Sequence, residues 1–152
     1  MNASEASLDP ISRAVLAYVQ QKKPEFAAFT KIQPDPSVDH SILEIQVPAP
    51  NSKIKYPLYI TTENEELTWG FGGWHGHFTA NSEDEIANVF SQISEVFQDQ
   101  VLAVTLERDG KWAGGTLVKA GDPILTGLFE GFVGSVEVRS WTGARDEDFQ
   151  TA

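Results

Sequence analysis

The sequence predicts an α+β fold: an antiparallel sheet of about five or six strands with two main helices packed on one face. Two stretches carry apolar residues at helical spacing, and the short segments around them alternate apolar and polar residues. Short turns separate neighbouring strand segments, and such turns join antiparallel strands but not parallel ones. The length of 152 residues is that of one domain with its own core, so we expect a single domain over residues 1–152.

Start signals mark both main helices. Asp9-Pro10 has the residue types of an N-cap and a first helical position, and an apolar stripe follows at Ile11, Val15, Leu16, Tyr18 and Val19. Ser82-Glu83-Asp84-Glu85 has the pattern of a capping box, and the apolar spacing after it predicts a helix over residues 83–97. A third, short helix is predicted after Asp122-Pro123, through Ile124, Leu125, Leu128 and Phe129.

Strands are predicted from two-residue alternation and from the turns between the segments. The segment 42–47 is the first, and the segment 56–62 is expected to form a hairpin with the stretch from Leu67 onward. Asp109-Gly110 has the residue types of a type I′ turn and predicts a second hairpin, from segments 101–108 and 111–119. A last strand is expected within 133–141, a loop at 33–36, and flexible ends at 1–8 and 144–152.

The charge of the chain argues against several kinds of partner. Eleven Lys and Arg against 22 Asp and Glu give a net charge of −11 at pH 7, which disfavours nucleic acid and anionic membranes and favours a basic partner. No Lys or Arg occurs between Tyr56 and Glu107, a segment that contains nine acidic residues. The acidity has an alternative interpretation, as an aid to solubility and to the start of a helix.

Cysteine content and the N-terminal residues favour a cytoplasmic protein. The chain has no cysteine, which excludes disulfides, thiol nucleophiles and Cys-ligated metal sites. The first residues lack the basic and apolar regions of a signal peptide, and no apolar run reaches transmembrane length. We therefore expect cytoplasmic localisation and no membrane partner.

Residues 67–78 are the most distinctive part of the chain, with two of the four tryptophans and two of the three histidines. The large aromatic residues form two pairs of opposite parity along a strand, Trp69 with Phe71 and Trp74 with Phe78. A bulge at Gly72-Gly73 would bring all of them to the core side of the sheet. This arrangement predicts that His75 and His77 lie on the outer face.

The His75 and His77 pair has two further interpretations. Imidazoles at positions i and i+2 of a strand can bind one metal ion, and a nearby carboxylate would complete a set suited to a metal-dependent enzyme. The remaining histidine, His40, is distant in sequence. The structural interpretation is that each histidine hydrogen-bonds a carboxylate or a neighbouring strand at the edge of the sheet.

Spacing identifies no Ser-His-Asp set, and with 22 acidic residues it singles out no catalytic pair of carboxylates. The chain lacks a G-x-S-x-G elbow, and Gly70-Phe71-Gly72-Gly73 is followed by aromatic residues and histidines where a dinucleotide site requires a helix. Trp112 and Trp141 are expected to anchor the core or a strand edge. If they are exposed, they mark a binding surface instead.

Two segments carry a resemblance: Trp74-His75-Gly76-His77-Phe78 and Ser140-Trp141-Thr142-Gly143. In an acidic, cysteine-free α+β chain, they resemble small bacterial immunity proteins of polymorphic toxin systems. Proteins of this kind are cytoplasmic, have no enzymatic activity, and bind a cognate toxin at its active site or an adjacent surface. The resemblance therefore implies a protein toxin as the partner, and it assigns no functional residue.

We expect a non-enzymatic protein that neutralises a cognate, basic toxin through an acidic and aromatic surface. The expected partner-binding residues are Glu63, Glu65, Glu66, Trp74, His75, His77, Trp112 and Trp141. This hypothesis includes no catalytic residue, cofactor or metal ligand. The alternative is a metal-dependent enzyme that uses His75 and His77, and a third interpretation is a structural module without a special site.

Overall fold

The structure of the protein, a computed structural model, describes residues 3–124 and 129–152. The chain divides into two compact units. Unit 1 comprises Met1–Pro48, Leu58–Gly70 and Gly76–Ser91. Unit 2 comprises Ala49–Pro57, Phe71–His75 and Gln92–Ala152. That both units belong to a single folding domain, as the chain length suggests, stays a prediction.

The described residues form helices and two sheets. The helices are α1 (Ala3–Ala6), α2 (Pro10–Lys22) and α3 (Glu83–Phe97), and 3₁₀ segments occur at Pro24–Phe29 and Glu63–Glu65. The strands are β1 (Thr30–Pro34), β2 (Ser41–Val47), β3 (Leu58–Thr61), β4 (Leu67–Phe71), β5 (Trp74–Phe78), β6 (Val101–Arg108), β7 (Lys111–Lys119), β8 (Gly134–Arg139) and β9 (Glu147–Thr151).

Strand pairing confirms the predicted α+β class and its antiparallel character. A five-stranded sheet has the order β1-β2-β3-β4-β5, and a four-stranded sheet has the order β7-β6-β8-β9. Helix α2 packs against β2, and the predicted hairpins β3–β4 and β6–β7 are both present. The strands are thus distributed over two sheets, whereas the sequence analysis expected one.

Both main helices begin where the sequence indicates. Asp9 is the N-cap of α2 and accepts a hydrogen bond from the backbone N of Ser12 at 2.9 Å, which satisfies one donor left open at a helix start. At the start of α3, the hydroxyl of Ser82 accepts a hydrogen bond from the backbone N of Glu85 at 3.2 Å. The carboxylate of Glu85 reaches one residue further back than predicted and accepts from the backbone N of Asn81 at 2.6 Å.

The core of unit 1 combines helix residues with one face of the five-stranded sheet. Ile45, Ile60 and Trp69 lie opposite one another across β2, β3 and β4, and all three are fully buried. Phe90 of α3 packs edge-to-face on Phe26, with ring centroids 5.2 Å apart. These apolar positions of the sequence are therefore all buried in the structure.

The core of unit 2 lies on one face of the four-stranded sheet. It consists of Leu102, Val104, Val118, Val136 and Val138. Because side chains alternate between the faces of a strand, the polar residues between these positions lie on the other face. That second face carries the candidate cleft described below.

The predicted flexible tail at 144–152 contains strand β9, which pairs with β8. Phe149 lies opposite Val136 and packs against the core of unit 2. Thr151 adds a hydrogen bond from its hydroxyl to the carbonyl O of Phe132 at 2.6 Å. One aromatic residue in a polar segment is a weak sequence signal, and the pairing edge that orders this segment is supplied by β8, the strand before it.

Other segments also differ from the sequence analysis. Within the predicted flexible residues 1–8, α1 is helical and Leu8 is buried. Strand β1 was not predicted because Pro34 argued for a loop, but β1 is at the edge of its sheet, where a proline is tolerated. The predicted short helix through Ile124, Leu125, Leu128 and Phe129 falls on residues 125–128, which lie outside the described residues.

Candidate functional site

Gly72 and Gly73 form a two-residue turn between β4 and β5. The sequence analysis expected a bulge within one continuous strand at this point, and that prediction was wrong. Gly72 has a φ of 61°, in the left-handed region that favours glycine. Two successive glycines suit a tight hairpin turn as well as a bulge, so local chemistry alone did not distinguish the two.

Burial differs between the two strands that this turn connects. All five residues of β4 are buried, including Trp69 and Phe71. In β5, half-buried residues alternate with exposed ones, and both histidines are exposed. The prediction of outward-facing histidines is therefore confirmed, while Trp74 and Phe78 reach only partial burial.

His77 interacts with two residues of unit 1. Its Nδ1 lies 2.7 Å from Oε1 of Glu66 and 2.8 Å from the hydroxyl of Thr68. The side chains of His77 and Glu66 are 53% and 37% exposed, so water screens this pair and it adds little to stability. The contact orients the imidazole and holds Glu66 against the sheet, as the structural interpretation of the histidines expected.

Residues Glu63–Glu66 form what we call the acidic turn, between β3 and β4. The backbone N of Glu66 donates to the carbonyl O of Glu63 at 3.3 Å, and Asn64 and Glu65 both have a φ of 59°. Two left-handed central residues define a type I′ turn. Glu63 and Glu65 are exposed. The turn therefore projects two carboxylates into solvent, one of them from a backbone conformation that non-glycine residues seldom adopt.

The acidic turn belongs to a part of unit 1 without positive side chains. The unit 1 segments Leu58–Gly70 and Gly76–Ser91 contain six Asp and Glu residues and no Lys or Arg. Glu83 and Asp84, in the first turn of α3, are exposed like Glu63 and Glu65. The charge asymmetry of the sequence is thus present at exposed positions of the structure.

Trp112, in unit 2, is 63% exposed. Its Nε1 donates a hydrogen bond to the carbonyl O of Gly73 at 3.2 Å. A close approach of β7 to the Gly72-Gly73 turn accompanies this bond, because a Cβ at Gly115 would lie only 2.4 Å from the same oxygen. The indole ring is therefore held in place at its N–H, and its apolar surface faces solvent.

Trp141 is in a different environment within unit 2. It is half-buried, and its ring lies 4.5 Å from that of Phe97 and 5.9 Å from that of Phe71, centroid to centroid. The structure thus places Trp141 as an aromatic anchor, one of the two roles the sequence analysis considered for it. Of the remaining expected residues, Trp74 and His75 are in unit 2, and Glu63, Glu65, Glu66 and His77 are in unit 1.

A cavity of about 170 Å³, here named the aromatic cleft, lies within unit 2. It is lined by the segment 53–56, the Gly72-Gly73 turn and side chains of the four-stranded sheet, among them Glu107 and Trp112. Tyr56 at its rim is 70% exposed. Large aromatic side chains this exposed are typical of binding surfaces.

The charged groups of the aromatic cleft differ in how they are compensated. Arg139 is buried, and its guanidinium lies 2.6 Å from Oδ1 of Asp148 and 3.3 Å from Oε1 of Glu137. The half-buried Glu107 carboxylate forms no hydrogen bond or ion pair with any residue in the described part of the chain. Lys53 and Lys55 are exposed.

The sequence analysis missed Tyr56 and Glu107. A signal for Glu107 was available, because the Asp109-Gly110 turn fixes a register in which Glu107 lies opposite Trp112. Tyr56 had no such signal, since it reaches the cleft through a loop whose course depends on the tertiary structure.

The chain was compared with known protein families, curated proteins and solved structures. No protein-family model, curated protein sequence or solved structure matches it. Within residues 3–124 and 129–152, no group of three or more His, Asp or Glu side chains could hold a metal ion. None of the helices in those same ranges is both long and apolar enough to cross a membrane.

Proposed function

We propose that the protein binds a basic protein partner and neutralises it, as an immunity protein neutralises a toxin. The observation that carries this proposal is the acidic turn, in which Glu65 is exposed and has a φ of 59°. A charged residue kept in a left-handed conformation destabilises the fold, and such strain is concentrated at functional sites. The turn therefore retains a carboxylate where glycine would favour folding.

The charge around the acidic turn supports the same proposal. Glu63 and Glu65 are two residues apart, so their Cα atoms lie within about 7 Å of each other, less than the Debye length at physiological salt. With no Lys or Arg in the neighbouring segments of unit 1, their field is not cancelled locally. Such a field raises the association rate of a basic protein and disfavours acidic competitors.

Other residues have supporting roles in this proposal. Glu66 and His77 hold the base of the turn against the sheet through their 2.7 Å contact. Trp112 supplies an exposed aromatic contact of the kind that dominates binding energy at protein interfaces. The resemblance to immunity proteins adds the cognate toxin as the partner and the cytoplasm as the compartment.

The proposal is tested by co-expression with the product of the neighbouring gene, followed by measurement of association rates at several salt concentrations. Replacing Glu63 and Glu65 together by Gln is expected to slow association about tenfold at low salt and to flatten its salt dependence. The matched control replaces Glu25 and Asp39 by Gln and Asn, which removes the same charge from two other exposed positions of unit 1. Equal effects of the two double variants, or the absence of a complex, would contradict the proposal.

Zinc binding tests the alternative of a metal-dependent enzyme. In the proposal, the purified protein retains no zinc after incubation with Zn²⁺ and dialysis. Stoichiometric zinc that is lost in both His75→Ala and His77→Ala would contradict the proposal and favour the enzyme.

A further inference from the structure

The aromatic cleft of unit 2 combines an uncompensated carboxylate with an exposed indole ring. Glu107 and Trp112 are paired residues of β6 and β7, so their side chains share one face of the sheet, with Cβ atoms about 4.5–5.5 Å apart. Both line the cleft, as does Tyr56. A negative group beside aromatic rings is an arrangement that attracts cations.

The side chain of Trp112 is already oriented for contact with a ligand. Its indole N–H, the single hydrogen-bond donor of the ring, is used by the carbonyl O of Gly73 at 3.2 Å. The ring therefore offers a ligand its π surface and no polar group. Because this bond already orients the side chain, less conformational freedom is lost when a partner stacks on it.

Glu107 gives the cleft its charge preference. Its carboxylate is half-buried, and among the described residues it has no hydrogen-bond or ion-pair partner. A carboxylate partly withdrawn from water gains free energy when a donor pairs with it. Arg139 does not supply that donor, because Glu137 and Asp148 already hold its guanidinium.

We propose that the aromatic cleft binds the guanidinium group of an arginine side chain from the protein partner. The plane of the guanidinium stacks on the indole of Trp112, and its N–H groups donate to the carboxylate of Glu107. The cavity of about 170 Å³ is below the range of about 300–1,000 Å³ typical of small-molecule sites, and it suits a single side chain. This inference rests on the proposed function and identifies arginine as the residue type through which the partner contacts unit 2.

Lys53 and Lys55 also line the cleft, and their charge opposes a cation. Both are exposed, so water and salt screen them more strongly than they screen the half-buried Glu107. The carboxylate therefore decides the preference. The positive charge of Lys55 also allows a test of which charge the cleft prefers. Lys55→Gln strengthens the binding of a cation and weakens the binding of an anion.

The experiment uses the whole ¹⁵N-labelled protein and follows the indole N–H signal of Trp112 by NMR, assigned with the variant Trp112→Phe. The probes are N-acetyl-arginine amide and N-acetyl-citrulline amide, which have nearly the same shape and differ in charge. We expect a saturable shift with the arginine probe and none with the citrulline probe. Glu107→Gln weakens the binding of the arginine probe about tenfold. The control Glu95→Gln, at an exposed position of unit 2 outside the cleft, leaves the binding of this probe unchanged.

Three results overturn this inference: equal shifts with both probes, unchanged arginine binding in Glu107→Gln with the remaining spectrum preserved, or weaker arginine binding in Lys55→Gln. Each is obtained without the partner protein, so it can be separated from a failure of the proposed function. If the cleft fails and the Glu63 and Glu65 double variant still slows association, the partner binds without an arginine in unit 2. If the cleft binds arginine and no complex forms, only the proposed function fails.

Discussion

The two hairpins β3–β4 and β6–β7 close with the same kind of turn, and the main difference between the turns is at their second central residue. Asn64-Glu65 and Asp109-Gly110 are both pairs with positive φ, as a type I′ turn requires. The β6–β7 hairpin has glycine second, which meets the steric requirement, and the β3–β4 hairpin has glutamate there. For an L-residue with a side chain, the left-handed conformation costs roughly 1–2 kcal/mol. The comparison shows that the turn of the β6–β7 hairpin favours hairpin formation. The turn of the β3–β4 hairpin carries a carboxylate at a position where it disfavours hairpin formation.

The hairpins also differ in what their strand glycines face. A Cβ at Gly70 in β4 would lie 2.3 Å from Cε1 of Tyr59, whose ring covers this glycine from the paired position on β3. A Cβ at Gly115 in β7 would lie 2.4 Å from the carbonyl O of Gly73. A tyrosine ring can rotate away from a new methyl group, and a backbone carbonyl in a tight turn cannot.

The largest predicted effect is the loss of stability when alanine replaces Gly115, compared with the same change at Gly70. Gly115→Ala is expected to lower the free energy of unfolding by about 1–3 kcal/mol because it forces two backbone segments apart. Gly70→Ala is expected to change it by less than about 1 kcal/mol, since the Tyr59 ring moves and alanine loses less entropy in a strand than glycine. Urea denaturation of both variants measures the difference, and equal losses would contradict the steric argument.

Exchanging the second residues of the two turns tests how much the left-handed conformation of Glu65 costs in stability. Gly110→Glu is expected to destabilise the protein by about 1–2 kcal/mol, from backbone strain alone, because no atom lies within 4 Å of a Cβ placed there. Glu65→Gly is expected to stabilise it by about 0.5–1 kcal/mol. Glu63→Gly is the control, because it removes an adjacent carboxylate outside the positive-φ pair. Destabilisation by Glu65→Gly would show that the Glu65 side chain itself supports the fold.

The same Glu65→Gly variant separates stability from binding. In the proposed function it is more stable and yet associates with the basic partner roughly two- to threefold more slowly, because one exposed charge is lost. Glu65→Gln should show the slower association without the gain in stability. Stopped-flow kinetics at low salt measure the association rates of both variants, and urea denaturation measures their stabilities. Faster association of Glu65→Gly would contradict a role for this carboxylate.

The smallest effect concerns Tyr59, whose ring covers Gly70. Burial raises the pKa of its phenol above the ordinary value of 10.0. The folded state therefore favours the neutral phenol, and its contribution to stability is complete below about pH 10 and is lost as the pH rises through the folded-state pKa. Tyr59→Phe should lose stability less steeply than the native protein between about pH 9 and pH 11, as followed by urea denaturation. Identical pH profiles would argue against this burial effect.

The elements that could be predicted from the sequence are those with local chemical signals. Asp9-Pro10, Ser82–Glu85 and Asp109-Gly110 correctly marked two helix starts and a hairpin turn, because capping and left-handed turns depend on neighbouring residues only. His75 and His77 were correctly predicted to point outward from the alternation along their own strand, although the bulge assumed beside it does not form. These features did not require knowledge of distant segments.

The missed features depend on which strands pair and which side chains pack, and residue types alone do not specify either. Strand β9 forms because β8 offers an edge and the core of unit 2 accepts Phe149. Gly72-Gly73 suited a bulge or a turn equally, and only the pairing of β4 with β5 shows which one forms. Nothing local distinguishes the surroundings of Trp112 from those of Trp141, since a tryptophan serves equally well in a core and at an interface.

The sequence by itself determined the α+β class, the main helices, two hairpins and the concentration of acidic residues between Tyr56 and Glu107, because each is a property of residue type and spacing along the chain. Only the tertiary structure decided which residues meet at the aromatic cleft and that Glu65 occupies a left-handed position. The cleft depends on loop course and on strands that lie far apart in the chain, and the conformation of Glu65 depends on the register in which β3 pairs with β4.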